Sequence, residues 1–267
     1  MIVSTLPPVV LVFAGHDPTG GAGIIADTQA INSLGGYAAT IVTALTNQDS
    51  HEVKGFAATD SESLIKQADT LVEELLIAAI KLGMLGSSDN ARAIMQWRAS
   101  HLASVPLIVD PVLASDQGQS LSDDGLIKVY RDNIIPQTTL LTPNVPELYQ
   151  LSGIKNEAEA ARALLQSGCS YILVSGSHRD SEHVDNMLYG GDGLLETITV
   201  ERLPGHYHGS GCTLASACAA AWVHGLEPVH AVAEAIDYTW QSLQHAYALA
   251  QGSHLPNRLY WTHEDEE

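Results

Sequence analysis

The stretch VVLVFAGHDPTGGAGIIAD, residues 9–27, joins an apolar run, a glycine-rich turn and the start of a helix. The run over residues 9–14 is rich in valine, which is typical of a strand buried on both faces. Glycines at positions 15, 20, 21 and 23 allow the backbone to turn sharply and to approach a ligand closely. A helix that begins at such a turn has free N–H groups that bind anions. The stretch therefore predicts a strand, a ligand-binding turn and a helix, although it lacks the GxGxxG fingerprint of dinucleotide sites.

The same alternation of apolar runs and amphipathic windows continues along the chain. It predicts an α/β fold with a mostly parallel central sheet and helices on both faces. After residue 183 the pattern changes to an antiparallel hairpin with a glycine-rich turn, followed by two helices from Gly211 onward. The predicted strands cover residues 9–14, 38–44, 77–81, 106–109, 138–141 and 171–174, and the predicted helices cover 22–34, 61–75, 89–100, 123–133 and 157–166.

Composition limits the classes of protein and partner. A chain of 267 residues with 45% hydrophobic and 16% charged residues predicts one globular domain over 1–267 and excludes a disordered protein. The formal charge of −19 would repel nucleic acid and anionic membrane surfaces, so neither is expected as a partner. With 12 basic residues, any bound phosphate must be held largely by backbone N–H groups, helix N-termini and a metal ion.

The three cysteines predict a protein of a reducing compartment, and the two chain ends show no targeting or membrane segment in the sequence pattern. Cys169, Cys212 and Cys218 form neither a disulfide framework nor a CxxC zinc pattern, which favours the cytoplasm. The first apolar run has no basic region before it, so we interpret it as a strand rather than a signal peptide. No apolar stretch approaches the length of a transmembrane helix. The acidic tail, residues 262–267, is expected to be unstructured.

Polar side chains follow two of the predicted strands, in VDPV (residues 109–112) and LTPNVPEL (residues 141–148). Open parallel sheets bind their ligands at this edge. Asp110, Asn144 and Glu147 supply the hard oxygen atoms that suit Mg²⁺, either directly or through water. The alternative is that Asp110 and Asn144 only cap turns before prolines. Their occurrence at successive strand ends favours a metal and phosphate site.

Two further strand ends, TALTNQD (residues 43–49) and KLGML (residues 81–85), are candidates for the walls of a small pocket. Taken singly, Gln48 and Met84 are more simply explained as ordinary surface and core residues.

The segment HYHGSGCTLASACAAAW, residues 206–222, places a thiol at the start of an alanine-rich helix. The N–H groups of residues 209–212 are expected to point together and form an anion hole, where the helix dipole also favours negative charge. The same position predicts a lowered pKa for Cys212, which would make it a thiolate or a proton acceptor. The alternative is a small buried cysteine, which describes Cys218 well and Cys212 less well because of the flanking glycines.

Six motifs occur in one order: AGHDPTGGAGIIAD, TALTNQ, KLGML, VDPV, LTPNVPEL and GSGCTLASACAA. In this order the chain resembles the hydroxymethylpyrimidine and phosphomethylpyrimidine kinases of thiamine biosynthesis, within the ribokinase-like superfamily. The resemblance covers roughly residues 9–250. It implies a ribokinase-like three-layer α/β/α sandwich that uses ATP and Mg²⁺ to phosphorylate an aminopyrimidine or its monophosphate, and it implies a homodimer.

The resemblance also implies the roles of individual residues. The pyrimidine would lie near Gly15, Asp17 and Gly23, with Gln48 hydrogen-bonded to it and Met84 packed on it. The implied catalytic group is Gly209, Gly211 and Cys212, in which Cys212 takes the place of the aspartate base of related sugar kinases. The implied Mg²⁺ ligands are Asp110 and Glu147, and the implied nucleotide contacts are Asn144, Glu147, Ser175 and Thr213.

The chain departs from the family pattern at three places. Ser175 stands where a lysine is expected, and that lysine would be a natural phosphate contact. His16 replaces a commoner serine, and it either contacts the substrate or fills the turn. The C-terminal GSHLPNRLYW, residues 252–261, only loosely echoes the family's ending. A pyridoxal-type kinase on the same fold and a pyrimidine-binding protein without phosphoryl transfer therefore stay open as alternatives.

Overall fold

A computed structural model describes residues 6–115, 118–119, 121, 123, 125–177, 179, 181–249 and 251–263. Nine strands form one sheet in the order β3-β2-β1-β4-β5-β6-β7-β8-β9. β1, β2 and β4 to β7 are mutually parallel, while β3 at one edge and the β8–β9 hairpin at the other pair antiparallel. The strands are β1 Val9–His16, β2 Tyr37–Gln48, β3 Val53–Ala58, β4 Ile77–Leu82, β5 Leu107–Val109, β6 Leu140–Leu141, β7 Tyr171–Val174, β8 His183–Gly190 and β9 Gly193–Glu201.

Helices cover both faces of this sheet, as the sequence predicted. They are α1 Gly23–Ser33, α2 Ser61–Glu74, α3 Ser88–His101, α4 Leu126–Val129, α5 Val145–Ser152, α6 Glu157–Gln166, α7 Ser210–Val223 and α8 Pro228–Gln244. Alternate residues of β1 enter two separate cores. Leu11 and Phe13 pack with side chains from α2, α3, α5 and α6, whereas Val10 and Val12 pack with those from α1, α7 and α8. The predicted three-layer α/β/α sandwich is therefore confirmed.

The topology places one crevice at the centre of the sheet. From β1 the chain passes to β2 on one side, and β4 lies on the other side of β1. Ligands of open parallel sheets bind at such a switch point, beyond the carboxyl ends of the strands. The glycine-rich turn after β1, Met84 after β4, and Asp110 and Asn144 after β5 and β6 all lie at this edge. No described helix is both long and apolar enough to cross a membrane.

Three local predictions were wrong or incomplete. The sequence pattern missed β3, whose VKGFAA segment carries a central glycine and no clear alternation. It also missed α5, since Pro146 near its start suggested a turn; proline suits the first turn of a helix, where its missing N–H is not needed. The predicted helix 123–133 begins instead at Leu126 and continues as a π turn, Tyr130–Ile134.

At the C-terminus the chain closes with a short 3₁₀ helix, Tyr260–His263. Residues 262 and 263, predicted as part of an unstructured tail, belong to this helix, and residues 264–267 lie outside the described part of the chain.

Candidate active site

The glycine-rich turn and the start of α7 are packed backbone against backbone. Gly209 has a φ of 80°, and a Cβ there would stand 1.9 Å from the carbonyl oxygen of Gly21. Gly23 has a φ of 61°, and a Cβ there would stand 2.2 Å from the carbonyl oxygen of Gly15. Only glycine fits either position, because any Cβ would collide with a backbone carbonyl: that of Gly21 across the contact for Gly209, and that of Gly15 within the same turn for Gly23. The N-termini of α1 and α7 are thereby brought together at the carboxyl end of β1.

Gly211 differs from these two glycines. It is exposed, and a Cβ built on it would meet no described atom within 4 Å. The fold therefore does not require glycine at this position. A side chain would instead project into the open space at the first turn of α7, where the helix presents N–H groups to an anion. This geometry is what an anion hole at Gly209, Gly211 and Cys212 needs.

Asp17 organises the glycine-rich turn. Its carboxylate is 2% exposed and accepts hydrogen bonds from the N–H groups of Thr19 at 2.8 Å and Ala22 at 2.9 Å. The Nε2 atom of His208 lies 2.9 Å from Asp17 Oδ2, and the Gln48 side chain is also bonded to this carboxylate. Burial opposes ionisation, but these hydrogen bonds outweigh it and hold the pKa of Asp17 well below its usual range.

His208 was not predicted as a site residue. Its position directly before the GSGC segment was the one sequence feature that pointed to a role in the site. Its partner Asp17 is 191 positions away in the sequence, so the pairing could not be predicted from spacing. Asp17 and Gln48, both predicted to bind the substrate, are brought together here with His208. Gln48 and His208 line a small cleft between the end of β2 and the segment before α7.

Met84 lies at the base of this region. Its Sδ would be 3.0 Å from a Cβ at Gly15, so the thioether lies directly against the glycine-rich turn. Thr43 donates a hydrogen bond to the Met84 carbonyl and fixes its backbone. Met84 packs with Ala44, Val53 and Leu121 in a small apolar cluster. This cluster supplies the kind of apolar surface on which a flat heterocycle packs.

A buried ion pair lies beneath the crevice. Lys81, at 0% exposure, places Nζ 2.8 Å from Asp27 Oδ1 and 3.9 Å from Asp110 Oδ2. Ser216 donates to the same Asp27 oxygen at 2.7 Å, whereas Asp27 Oδ2 has no hydrogen-bond partner among the described residues. Burial alone would lower the pKa of Lys81, but the charges of Asp27, Cys212 and Asp110 raise it above its usual value. Lys81 belongs to the KLGML motif, yet neither it nor Asp27 was predicted as a site residue.

Cys212 lies half-buried in the first turn of α7, and the N–H of Gly23 donates a hydrogen bond to its sulfur. The predicted lowering of its pKa is wrong. Burial and the nearby carboxylate of Asp110 raise the pKa of Cys212 well above its usual value, and together they outweigh the favourable charge of Lys81. The helix start by itself favours a thiolate, but burial and then the neighbouring carboxylates decide the direction of the pKa shift.

Asn144 and Glu147 form a capping box at the start of α5. Asn144 Oδ1 accepts from the Glu147 N–H at 2.9 Å, and Glu147 Oε2 accepts from the Asn144 N–H at 3.0 Å. Asn144 thus caps a helix, as the alternative interpretation held. Both Glu147 and Asp110 act electrostatically on Tyr130, whose hydroxyl is buried without a hydrogen bond to the described residues.

The fit of this region to Mg²⁺ rests on those groups. The two carboxylates follow the successive strands β5 and β6, and both act on the orphaned hydroxyl of Tyr130 in the π turn. Such groups suit a hydrated cation that takes its other ligands from phosphates. Across the described ranges, three or more His, Cys, Asp or Glu side chains nowhere gather as a metal site of their own. Asp110 and Glu147 therefore suit Mg²⁺ that arrives with a nucleotide.

Two predicted nucleotide contacts have different settings. Ser175 follows β7, and its N–H donates to the Pro143 carbonyl at 3.0 Å, beside Asn144. Thr213 is fully buried, and its hydroxyl donates to the Gly209 carbonyl at 2.8 Å and accepts from Arg258 Nε at 2.9 Å. A direct contact of the Thr213 hydroxyl with nucleotide is not supported, since both of its hydrogen bonds are made within the protein.

His16 ends β1, and its carbonyl accepts a hydrogen bond from Thr46 at 2.9 Å. This bond explains the backbone at the turn and leaves both interpretations of the side chain open.

Asp17→Asn is expected to lower the free energy of unfolding by about 1–3 kcal/mol, because an amide cannot accept all the hydrogen bonds that the carboxylate accepts. We also expect kcat/KM to fall, because the turn and His208 lose their common anchor. Denaturant unfolding and steady-state kinetics measure both effects. Asp60→Asn is the matched control, since Asp60 is an exposed cap of α2 whose carboxylate accepts from Ser63 of the same helix, and asparagine caps equally well. Equal behaviour of the two variants would contradict this role of Asp17.

Comparison with known proteins places these features in a family. The sequence matches the phosphomethylpyrimidine kinase family over residues 17–257. It is 38% identical over 254 residues to a hydroxymethylpyrimidine/phosphomethylpyrimidine kinase of Mycobacterium tuberculosis, covering 92% of each chain. The fold is similar to a phosphomethylpyrimidine kinase of Clostridium difficile, with a TM-score of 0.76 and 28% identity, covering 87% of this chain and 98% of that one. It is also similar to an ADP complex of Bacillus subtilis pyridoxal kinase, with a TM-score of 0.85 and 25% identity, covering 94% and 97%. The chain therefore belongs to the phosphomethylpyrimidine kinase family.

Proposed function

We propose that this protein is an ATP-dependent kinase that phosphorylates 4-amino-5-hydroxymethyl-2-methylpyrimidine, its monophosphate, or both, in thiamine biosynthesis. The observation that carries the proposal is the convergence of two helix N-termini with Cys212 and Asp110 at the switch point of the sheet. Helix N-termini bind phosphate, and Cys212 stands where the attacking hydroxyl would need a proton acceptor. Family membership supplies the substrate class.

The pyrimidine would lie between the glycine-rich turn and the end of β2. Met84 and its apolar cluster supply the surface for the ring, and Gln48 supplies a polar group at its edge. In this position the hydroxymethyl arm points to Cys212 and to the first turn of α7. Phosphoryl transfer needs alignment and charge stabilisation more than covalent chemistry, and the N–H groups of residues 209–212 supply both.

Asp110 and Glu147 would hold Mg²⁺, directly or through water, while the phosphates of ATP would supply its other ligands. When bound, the metal neutralises the charge of the triphosphate. The chain's own residues orient the reactants: Asp110 lies beside Lys81 and acts on Cys212, so acceptor and metal ligands share one small region. The nucleotide itself would lie over the ends of β6 and β7, near Asn144 and Ser175.

The homodimer and the cytoplasmic location belong to the same proposal. The dimer is an implication of the family resemblance. The location is supported by Cys169, Cys212 and Cys218, which form no disulfide in the described chain.

The test is ADP release by the purified protein with MgATP and hydroxymethylpyrimidine, with pyridoxal as the second substrate. We expect turnover with the pyrimidine above the rate without any acceptor, and mass spectrometry of the product then counts one or two added phosphates. Preference for pyridoxal would favour the activity named for the Bacillus subtilis structure. Tight pyrimidine binding by calorimetry without turnover would identify a binding protein and overturn the kinase.

A further inference from the structure

Arg258 joins the C-terminal segment to the two turns that form the site. Its side chain is almost fully buried, with the residue 2% exposed. Nε donates to Thr213 Oγ1 at 2.9 Å, and Nη2 donates to the carbonyl of Gly21. Nη1 donates to the carbonyl of Gly20 at 3.3 Å and to Gln29 Oε1 at 3.2 Å. One guanidinium therefore ties the glycine-rich turn, α1 and the first turn of α7 together.

The backbone of Arg258 is fixed as firmly as its side chain. Its carbonyl accepts from Ser33 Oγ at 2.9 Å, at the end of α1, and from the Tyr238 hydroxyl at 3.0 Å, in α8. The planar guanidinium is thus attached to a fixed backbone, so the positions of its three nitrogens set the spacing between Gly21 and Thr213. A lysine in this position would carry the charge but not the fork.

Arg258 forms no direct ion pair with a described carboxylate. Within the part of the chain that the structure describes, no carboxylate oxygen lies within 4.0 Å of its guanidinium. Its partners are carbonyl, hydroxyl and amide oxygens, which are neutral. The carboxylates of Asp27 and Asp17 offset part of its charge from a greater distance, and a buried cation without a direct ion pair also attracts a further anion that comes close. The nearest feature built for an anion is the first turn of α7, which contains Thr213 and Cys212.

We propose that Arg258 is a positioning residue for phosphoryl transfer: it holds the glycine-rich turn against α7 and places a buried positive charge behind the anion hole. This inference rests on the proposed kinase function. The chain has 12 basic residues, and Ser175 stands where the resemblance predicts a lysine. The buried charge of Arg258 therefore supplies part of the positive potential that stabilises the transferred phosphoryl group. The family resemblance gave Arg258 no role, because the C-terminal segment only loosely echoes the family's ending.

The experiment compares Arg258→Met and Arg258→Lys with a matched control, Arg98→Met. Arg98 is also a buried arginine, 4% exposed, bonded to neutral oxygens of Ala103, Val105 and Gln137. It lies in the last turn of α3, just before β5, and hence near the amino ends of the parallel strands, whereas the candidate site lies at their carboxyl ends. All variants are assayed at a temperature at which circular dichroism shows them folded. The readouts are kcat, KM for the pyrimidine, and binding of inorganic phosphate by calorimetry.

We expect Arg258→Met to lower kcat about 10²-fold, since small misplacements of a catalytic group have effects of this size, with KM for the pyrimidine nearly unchanged. Phosphate binding should weaken at least about tenfold in Arg258→Met and remain unchanged in Arg98→Met. Arg258→Lys should retain phosphate binding and recover only part of kcat, because it keeps the charge and loses the fork.

Either of two results would overturn the proposal. The first is a kcat of Arg258→Met equal to that of Arg98→Met, which would reduce Arg258 to a stabilising residue. The second is a kcat of Arg258→Lys equal to that of the unmodified protein, which also decides the matter if Arg258→Met does not fold. If the unmodified protein shows no kinase activity, the proposed function fails, and phosphate binding by the variants still tests the role of Arg258 separately.

Discussion

Replacement of Lys81 by methionine is expected to lower the free energy of unfolding by about 3–5 kcal/mol, the usual effect of removing one partner of a buried ion pair. The variant leaves the carboxylate of Asp27 fully buried, with Ser216 as its remaining hydrogen-bond partner among the described residues. Asp110 loses the same cation at 3.9 Å. Urea or guanidinium unfolding measures the loss.

The pH dependence of this effect follows from the direction of the pKa shift. The pKa of Lys81 is raised in the folded protein, so its contribution to stability is fully present below the pKa of lysine in the unfolded chain. It is lost only as the pH rises towards the folded value. The difference between the unmodified protein and Lys81→Met should therefore be constant between about pH 6 and pH 9.

The double variant Lys81→Met, Asp27→Asn separates stability from activity. It removes both charges and keeps an acceptor for Ser216, so we expect most of the lost stability to return. Activity should stay low, because Asp110 and Cys212 still lack the Lys81 charge. Lys66→Met is the control, since Lys66 forms an exposed pair with Glu62 on α2 and surface pairs contribute little. Full activity in the double variant would show that the pair serves the fold alone.

Cys212→Ala is expected to lower kcat by about 10²-fold or more, the range for a lost general base or anion-hole group. The affinity for the pyrimidine should change little, because the ring is held by other residues. Cys212→Ser is the matched variant: it keeps the size of the side chain but ionises far less readily. Steady-state kinetics on all three proteins measures the effect, and near-native turnover of Cys212→Ala would leave the backbone N–H groups as the working part.

The pH profile tests the raised pKa of Cys212 directly. If the thiolate is the proton acceptor, a raised pKa keeps the thiol protonated near neutral pH, and kcat should rise with pH into the alkaline range. The rise should vanish in Cys212→Ala. A flat profile in the unmodified protein would separate the catalytic role of Cys212 from its ionisation.

Local sequence was enough to predict the layers of the fold and the end of the strands at which the candidate site lies. Apolar runs and amphipathic windows alternate with the periods of strands and helices, and this alternation leads to a parallel sheet. Residues that follow successive strands then share one edge, which explains why Asp110, Asn144 and Gly15 could be placed from local sequence. The glycines at 23 and 209 were readable as turn positions from their sequence setting, and both have a positive φ, but the contact of Gly209 with Gly21 forms only in the folded chain.

The charge pairs around the candidate site depend on contacts that form only in the folded chain. Lys81 meets Asp27 from another element, 54 positions away, His208 meets Asp17 across 191, and Arg258 reaches Gly21 across 237. No spacing rule predicts such pairs, because the fold brings them together. The anion site at the helix start stays a prediction, whereas the direction of the Cys212 pKa was decided by burial and by Asp110. Electrostatic energies depend on distance and solvent exposure, and sequence position fixes neither.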